Sequence, residues 1–375
     1  MAPYHHALLM ASPRVPNTIV LPDPLSRAAL TPANDTGPVR LITRDNGVGL
    51  RRDLQIVSRA LQVAQVRNQA LTFGGARLIN ALLQARARMK SATGKVPTQI
   101  FLERIYRGML PAAHRNVLIP NPEWMLDKWL PLLPQFERVL CKTRHAERVF
   151  SALGCNTRYI GFTSEDRFDA DVPRERAFLH VAGRSTAKGT DAVIQAWLRN
   201  PQWPILTVVQ SRDVPRVEAP NIDHRLAYLD DTQLRRLQNA HAFHLCPSEA
   251  EGFGHYLVEA LSTSAVVITT DGEPMNELVT PERGILLPPA DAQPMALGTR
   301  YRVEVVAIEA AVERALAMTP DTCAAMGAAA RRFFLDNDAA FPPRLAAALP
   351  PQWDAKAQRP SRRRLARLAS TLFTR

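Results

Sequence analysis

The stretch CPSEAEGFGHYLVEAL fills positions 246–261. It follows AFHLC (242–246), an apolar run of strand length, so it leaves the carboxyl end of a strand. Gly252 and Gly254 flank Phe253, and Glu259 comes eight residues after Glu251. Two glycines so close together leave the backbone open to a ligand. The apolar spacing predicts a helix from about Gly254, whose free N–H groups suit a phosphate. Glu251 then stands in the loop before the helix and Glu259 one to two turns inside it. The two carboxylates can accept hydrogen bonds from two parts of one ligand. A plainer reading is a helix start with acids complementing the dipole. It accounts for the acids but not for the paired glycines. Glu249 is also nearby, but only Glu251 directly precedes GFG and keeps the eight-residue spacing.

Working outward, FLHVA (178–182) is a second strand-like run, and HVAGRSTAKGTD (180–191) turns away from its end. Arg184 and Lys188 are four residues apart, beside Gly183 and Gly189. Together they suit one diphosphate, Arg as a planar fork and Lys as a point charge. Solvated turn charges are the alternative. No Gly-Lys-Ser/Thr follows, so this is not a P-loop. DNGVG (45–49) puts Gly47 and Gly49 between VRLIT (39–43) and a helical pattern over 50–66, either as a phosphate loop or as a tight turn. Asp169 and Asp171 repeat a spacing that can hold a divalent metal, but they precede a strand instead of following one. His241, His244 and Cys246 overlap a strand entering the core and read as structural. No metal is expected.

Further strand candidates are QIFLE (99–103), NVLIP (116–120), RVLCK (138–142), TRYIGF (157–162), ILTVV (205–209) and AVVIT (265–269). Helical patterns cover 76–88, 145–153, a run from Thr190, and 303–335. Alternating strands and helices predict an α/β fold of two tandem Rossmann-like, doubly wound domains facing a cleft. The expected organisation is a Pro-rich extension (1–38), a first domain (39–165), a linker (166–176), a second domain (177–340) and a basic C-terminal segment (341–375) that can cross back to the first domain. Pro342, Pro343, Pro350 and Pro351 should break the chain before that last segment.

Of the 375 residues, 46% are hydrophobic and 22% charged, which fits globular domains and excludes a disordered chain. No uncharged apolar run reaches the roughly 18 residues that span a membrane. The first sixteen residues lack a basic start, so no secretory signal is expected. Four scattered cysteines form no CxxC pair, which argues against a disulfide scaffold and favours the cytoplasm. The net charge of +12 collects over 51–115 and after 355. Such patches attract phosphates, acidic lipids or nucleic acid. They lack the interleaved aromatics that stack bases, so nucleic acid is not expected.

With these residues in view, 246–261 resembles the Glu-x7-Glu motif of retaining GT-B glycosyltransferases, particularly glycosyltransferase family four (group 1). GRSTAKG and DNGVG are similar to that family's phosphate turns, in the same order. The resemblance implies transfer of a sugar from a UDP- or GDP-linked donor, with retention of configuration and without a metal or other cofactor. It implies that Glu251 holds the sugar hydroxyls with the backbone of Gly252, Phe253 and Gly254, and that Glu259 holds the ribose. Arg184 and Lys188, beside Gly183, would neutralise the leaving diphosphate. Gly47 and Gly49 would let the first domain close over it, and Tyr228 stands where the base is read. Ser264 and Val266 occupy the places of the family's usual glycine and proline, and His255-Tyr256 replaces its Leu-Pro. The acceptor is left open. SRRRLARLASTLF (361–373), with leucines on one helical face, is expected either on an anionic membrane surface, placing the protein peripherally on the inner face, or across the first domain. The basic helix over 78–90 could face an acidic or lipid-diphosphate acceptor. A basic membrane- or nucleic-acid-binding protein with a vestigial sugar-nucleotide site is the competing reading.

Overall fold

In the computed structural model, which describes residues 38–44, 49–74 and 77–350, the apolar runs assemble into two six-stranded parallel sheets. Gly47, the 1–37 stretch and the basic 361–373 segment lie outside the described residues.

The first sheet holds β1 (Val39–Arg44), β2 (Asn68–Phe73), β3 (Val96–Leu102), β4 (Ala113–Ile119), β5 (Arg138–Cys141) and β6 (Thr157–Tyr159), in the order β2-β1-β3-β4-β5-β6. Helices α1 (Gly49–Val63), α2 (Arg77–Thr93) and α3 (Arg144–Ala152) join some of them. Short 3-10 turns replace helices after β3 and β4. The central strands are buried on both faces, which is why they read as unbroken apolar runs. Thr143 caps α3 by accepting a bond from the Ala146 N–H.

The second sheet holds β7 (Glu175–Val181), β8 (Leu206–Val209), β9 (Ile222–Arg225), β10 (His241–Cys246), β11 (Val266–Thr270) and β12 (Gly284–Leu287), in the order β12-β11-β10-β7-β8-β9. Its helices are α4 (Thr190–Arg199), α5 (Asp231–Ala240), α6 (His255–Ser262) and α7 (Met275–Leu278). The expected pair of doubly wound α/β domains is therefore present. The sequence reading missed β2, β9 and β12, and also a polar antiparallel hairpin, β13 (Asp291–Met295) with β14 (Gly298–Arg302).

Two helices, α8 (Val305–Ala317) and α9 (Pro320–Ala348), end the described chain. The expected break at Pro342 and Pro343 does not occur, because α9 runs through both. Two prolines withhold two backbone N–H donors. The Arg344 guanidinium supplies donors to that turn, bonding the carbonyls of Ala340 at 3.0 Å and Asn337 at 2.9 Å. The end of α9 reaches the first domain, where Arg138 of β5 donates to the carbonyls of Ala348 and Leu349. One apolar core joins the two halves: Val57, Leu61 and Leu140 meet Leu257, Leu261, Phe334, Phe341 and Leu345. Glu277 of α7 adds a polar latch, accepting from the backbone N–H groups of Arg144 and His145 at the start of α3.

Candidate active site

The carboxyl ends of both sheets face a common cleft of about 350 Å³. Its second-domain wall is the turn between β10 and α6. Gly254 caps α6 with φ 91°, a conformation that suits glycine. Glu251 stands before that cap and pairs with Lys188, which follows β7. Ser248 Oγ donates to Glu251 Oε1 at 2.5 Å. The Lys188 ammonium also lies 3.7 Å from the centre of the Tyr256 ring. Burial, with Cys246 and Glu251 adding to it, pushes the Tyr256 phenol well above its ordinary range, so it stays a neutral hydroxyl beside Ser248.

Apart from Gly49, the first-domain wall was not visible in the sequence. Asp53 of α1 bonds Lys142 at 2.5 Å and His255 of the opposite wall at 2.7 Å. Burial works to raise this carboxyl, but Lys142 and His255 overcome it and hold Asp53 well below the usual carboxylate range. Glu103 follows β3, and Asn121 and Glu123 follow β4. A Cβ on Gly252 would fall 2.5 Å from Asn121 Cγ and 2.6 Å from Glu123 Oε1, so the glycine permits this close approach of the two walls. The hairpin bridges the cleft beside them. Leu297 N–H donates to the Pro122 carbonyl at 3.1 Å, Tyr301 N–H donates to the Glu249 carbonyl at 2.7 Å, and Arg300 bonds the Glu249 carboxylate.

Of the residues singled out in the sequence, Gly49, Lys188, Glu251, Gly252, Phe253 and Gly254 line the cleft. The Phe253 ring itself turns into the core, edge-on to Phe162 at 5.2 Å. Glu259 is buried behind the wall, paired with Arg52 of α1 and bonded by Gln238 at 3.1 Å. Arg184 is exposed on the turn after Gly183, and Tyr228 is 80% exposed; neither lines the cleft. The four charged residues expected around one crevice are thus split: Lys188 and Glu251 share it, Glu259 lies behind Arg52, and Arg184 faces solvent. The turn that carries Arg184 borders a second hollow of about 350 Å³, lined by Ser185, Thr190, Gln210, Arg212 and Arg302 among others.

The inner histidines are structural. His180 bonds the Leu245 carbonyl and Thr190, and His244 bonds the Gln238 carbonyl. Burial depresses them to about 4 and about 3, so both stay neutral. Among the described residues no group of three or more His, Cys, Asp or Glu is arranged to hold a metal, and no helix is long and apolar enough to cross a membrane.

Residues 224–303 match the family model for group 1 glycosyl transferases. That span runs from β9 through Glu251 and Glu259 to the hairpin, and it bears out the resemblance read from the motif. No curated protein matches the chain. Among solved structures, HepE from Anabaena in complex with UDP and glucose is 12% identical, with a TM-score of 0.61 over 83% of this chain and 99% of that one. Sucrose-phosphate synthase from Thermosynechococcus elongatus is 16% identical, with a TM-score of 0.58 over 90% and 99%. A UDP-forming α,α-trehalose-phosphate synthase from Burkholderia vietnamiensis is 10% identical, with a TM-score of 0.59 over 83% and 99%. At these identities the likeness is one of fold, and the fold is GT-B.

Proposed function

We propose that this chain is a retaining glycosyltransferase that moves a sugar from a UDP- or GDP-linked donor to an acceptor hydroxyl without a metal. The observation that carries this reading is the Lys188–Glu251 pair at the head of α6, facing the strand ends of the first domain across the cleft. In the reaction the bond between sugar C1 and the diphosphate oxygen breaks. A bond from C1 to the acceptor oxygen forms on the same face, and the acceptor proton passes to the departing phosphate. Negative charge grows on the leaving oxygens, so fixed cations aimed at them are the largest expected contribution. Lys188 takes that role at the cleft, and Arg184, on the same turn, is the second cation assigned to the diphosphate. Glu251 and the backbone of 252–254 hold the transferred sugar. Glu259 holds the ribose once it is released from Arg52. Tyr228 is assigned to the base.

With Lys188 at the cleft and Arg184 brought in from the solvent side of the same turn, neutralising the diphosphate would need no bound metal. The four cysteines are free thiols, which supports a cytoplasmic location. On α2, Leu78, Ile79, Leu82 and Met89 are exposed together with Arg86 and Arg88, which supports contact with an anionic membrane surface. Binding to anionic vesicles at low salt and release at high salt is the expected result.

A panel of UDP- and GDP-sugars, scored for slow hydrolysis by the wild type and by Glu251→Gln, tests the central reading. One donor should be hydrolysed, and the variant should lose that activity. No hydrolysis, together with no thermal stabilisation by UDP or GDP, would overturn it.

A further inference from the structure

The charges around the cleft do not all cancel by pairing. Asp53 holds Lys142, Glu251 holds Lys188, and Glu259 holds Arg52. Two carboxyls of the first-domain wall remain, Glu103 and Glu123, and neither has an ion-pair partner among the described residues. Asn121 joins them, with its Nδ2 donating to Glu103 Oε2 at 3.0 Å. Glu123 is only 6% exposed, because the hairpin covers it: a Cβ on Gly298 would lie 3.2 Å from Glu123 Cβ. Even so, its Oε2 has no hydrogen-bond partner, and neither has Asn121 Oδ1. Native structures rarely leave buried oxygens unsatisfied, and here two lie on one loop at the edge of a cavity. Burial raises the Glu123 carboxyl to about 8, against its own backbone N–H and with Glu251 adding to the rise; burial raises Glu103 as well. Lys142 acts on both carboxyls and Arg104 on Glu103, but neither offsets burial, and Lys142 is itself held by Asp53.

We propose that Glu103, Asn121 and Glu123 form the acceptor subsite, and that it takes a non-anionic sugar by its hydroxyl donors while rejecting sugars that carry phosphate or carboxylate. The assignment rests on the glycosyl-transfer reading. Ring hydroxyls of an acceptor donate to the unpaired Asn121 Oδ1 and to the two carboxyls. An anionic substituent would lose its hydration in a part-buried cleft beside the Glu103 carboxyl, where the lining lysines Lys142 and Lys188 are already held by Asp53 and Glu251.

The test is direct binding to the full chain in the presence of UDP, read by saturation-transfer NMR. The probes are methyl α-glucoside, glucosamine and glucose 6-phosphate. The first two should bind, and the phosphate should bind about tenfold more weakly or not at all. Glu123→Leu and Glu103→Leu should each weaken methyl glucoside binding about tenfold, since they remove acceptors. The double variant Glu103→Gln/Glu123→Gln keeps acceptor oxygens and cannot ionise; compared with wild type at about pH 9, above the raised Glu123 carboxyl, it should retain methyl glucoside and narrow its preference over glucose 6-phosphate. This second arm decides the matter if a leucine variant fails to fold. Equal or tighter binding of the phosphate by the wild type overturns the proposal. So does binding that is indifferent to these substitutions, or no binding by either non-anionic probe. If no nucleotide sugar is ever turned over while sugar binding keeps this dependence, the transfer reading fails and the site stands only as a neutral-sugar binding site.

Discussion

Arg52 of α1 and Glu259 of α6 form an ion pair between the two domains, and the Glu259 carboxylate is only 4% exposed. The carboxylate assigned to the donor's ribose is therefore occupied by a residue of the other domain. A donor that uses Glu259 must displace Arg52. Arg52→Met should then tighten the binding of UDP or GDP by several-fold, read by calorimetric titration. The same change should lower stability by about 1–2 kcal/mol, less than for a fully buried pair, because Arg52 is partly solvated and Gln238 still serves Glu259. Weaker nucleotide binding in the variant would count against a ribose role for Glu259.

Lys188 is held between Glu251 and the Tyr256 ring, so it stands fixed before any substrate arrives. Lys188→Ala should lower kcat about 10²–10³-fold, the scale for one preorganised charge at a leaving group. Arg184→Ala should also lower kcat more than donor affinity. Equal losses in kcat and in donor affinity would show uniform binding and not transition-state stabilisation.

Glu123 gives a pH dependence whose sign can be worked out. Its carboxyl is raised in the folded chain, to about 8, so folding favours the protonated form. That stability is complete below the ordinary carboxyl pKa of about 4.3 and is lost as pH rises toward about 8. Glu251, Lys142 and Glu103 are the charges that face it. Glu123→Gln cannot ionise, so its stability relative to wild type should climb between pH 5 and 8.5, by an amount on the order of 3 kcal/mol. Parallel urea-unfolding curves across that range would show that Glu123 is not buried as a neutral acid.

Ser264 takes φ 60° just past the end of α6, where a glycine is free of the Cβ penalty. Ser264→Gly should therefore stabilise the chain by about 0.5 kcal/mol, the relief exceeding the added freedom of the unfolded state. A lowered midpoint in thermal or urea unfolding would show that the serine makes a compensating contact.

What the sequence revealed followed burial. The central strands β7, β10 and β11 stood out because both faces are covered, and α4 begins at the expected Thr190. β2 and β9 went unseen because they are sheet edges with polar, half-exposed residues. The hairpin gave no signal because its two-residue turn is Ala296-Leu297, without the usual Asn-Gly, and Ala296 itself takes φ 50°. The second-domain half of the site was legible because the chemistry sits in one short loop. The first-domain half draws Asp53 from α1 and Glu103, Glu123 and Lys142 from beyond the ends of three separate strands, and no spacing announces such a group. The Arg52–Glu259 pair spans 207 positions and is visible only once both domains are folded.

The path of α9 bears on how this chain could be re-engineered. Here the second half contributes Phe341, Leu345 and Ala348 to the interior of the first, and Arg138 fastens the final turn. A graft cut at the linker alone would strip the recipient of its covering and leave a greasy surface on the donor. A functional chimera must therefore carry the last turns of the long helix with the half they cover, making this a swap with two crossovers.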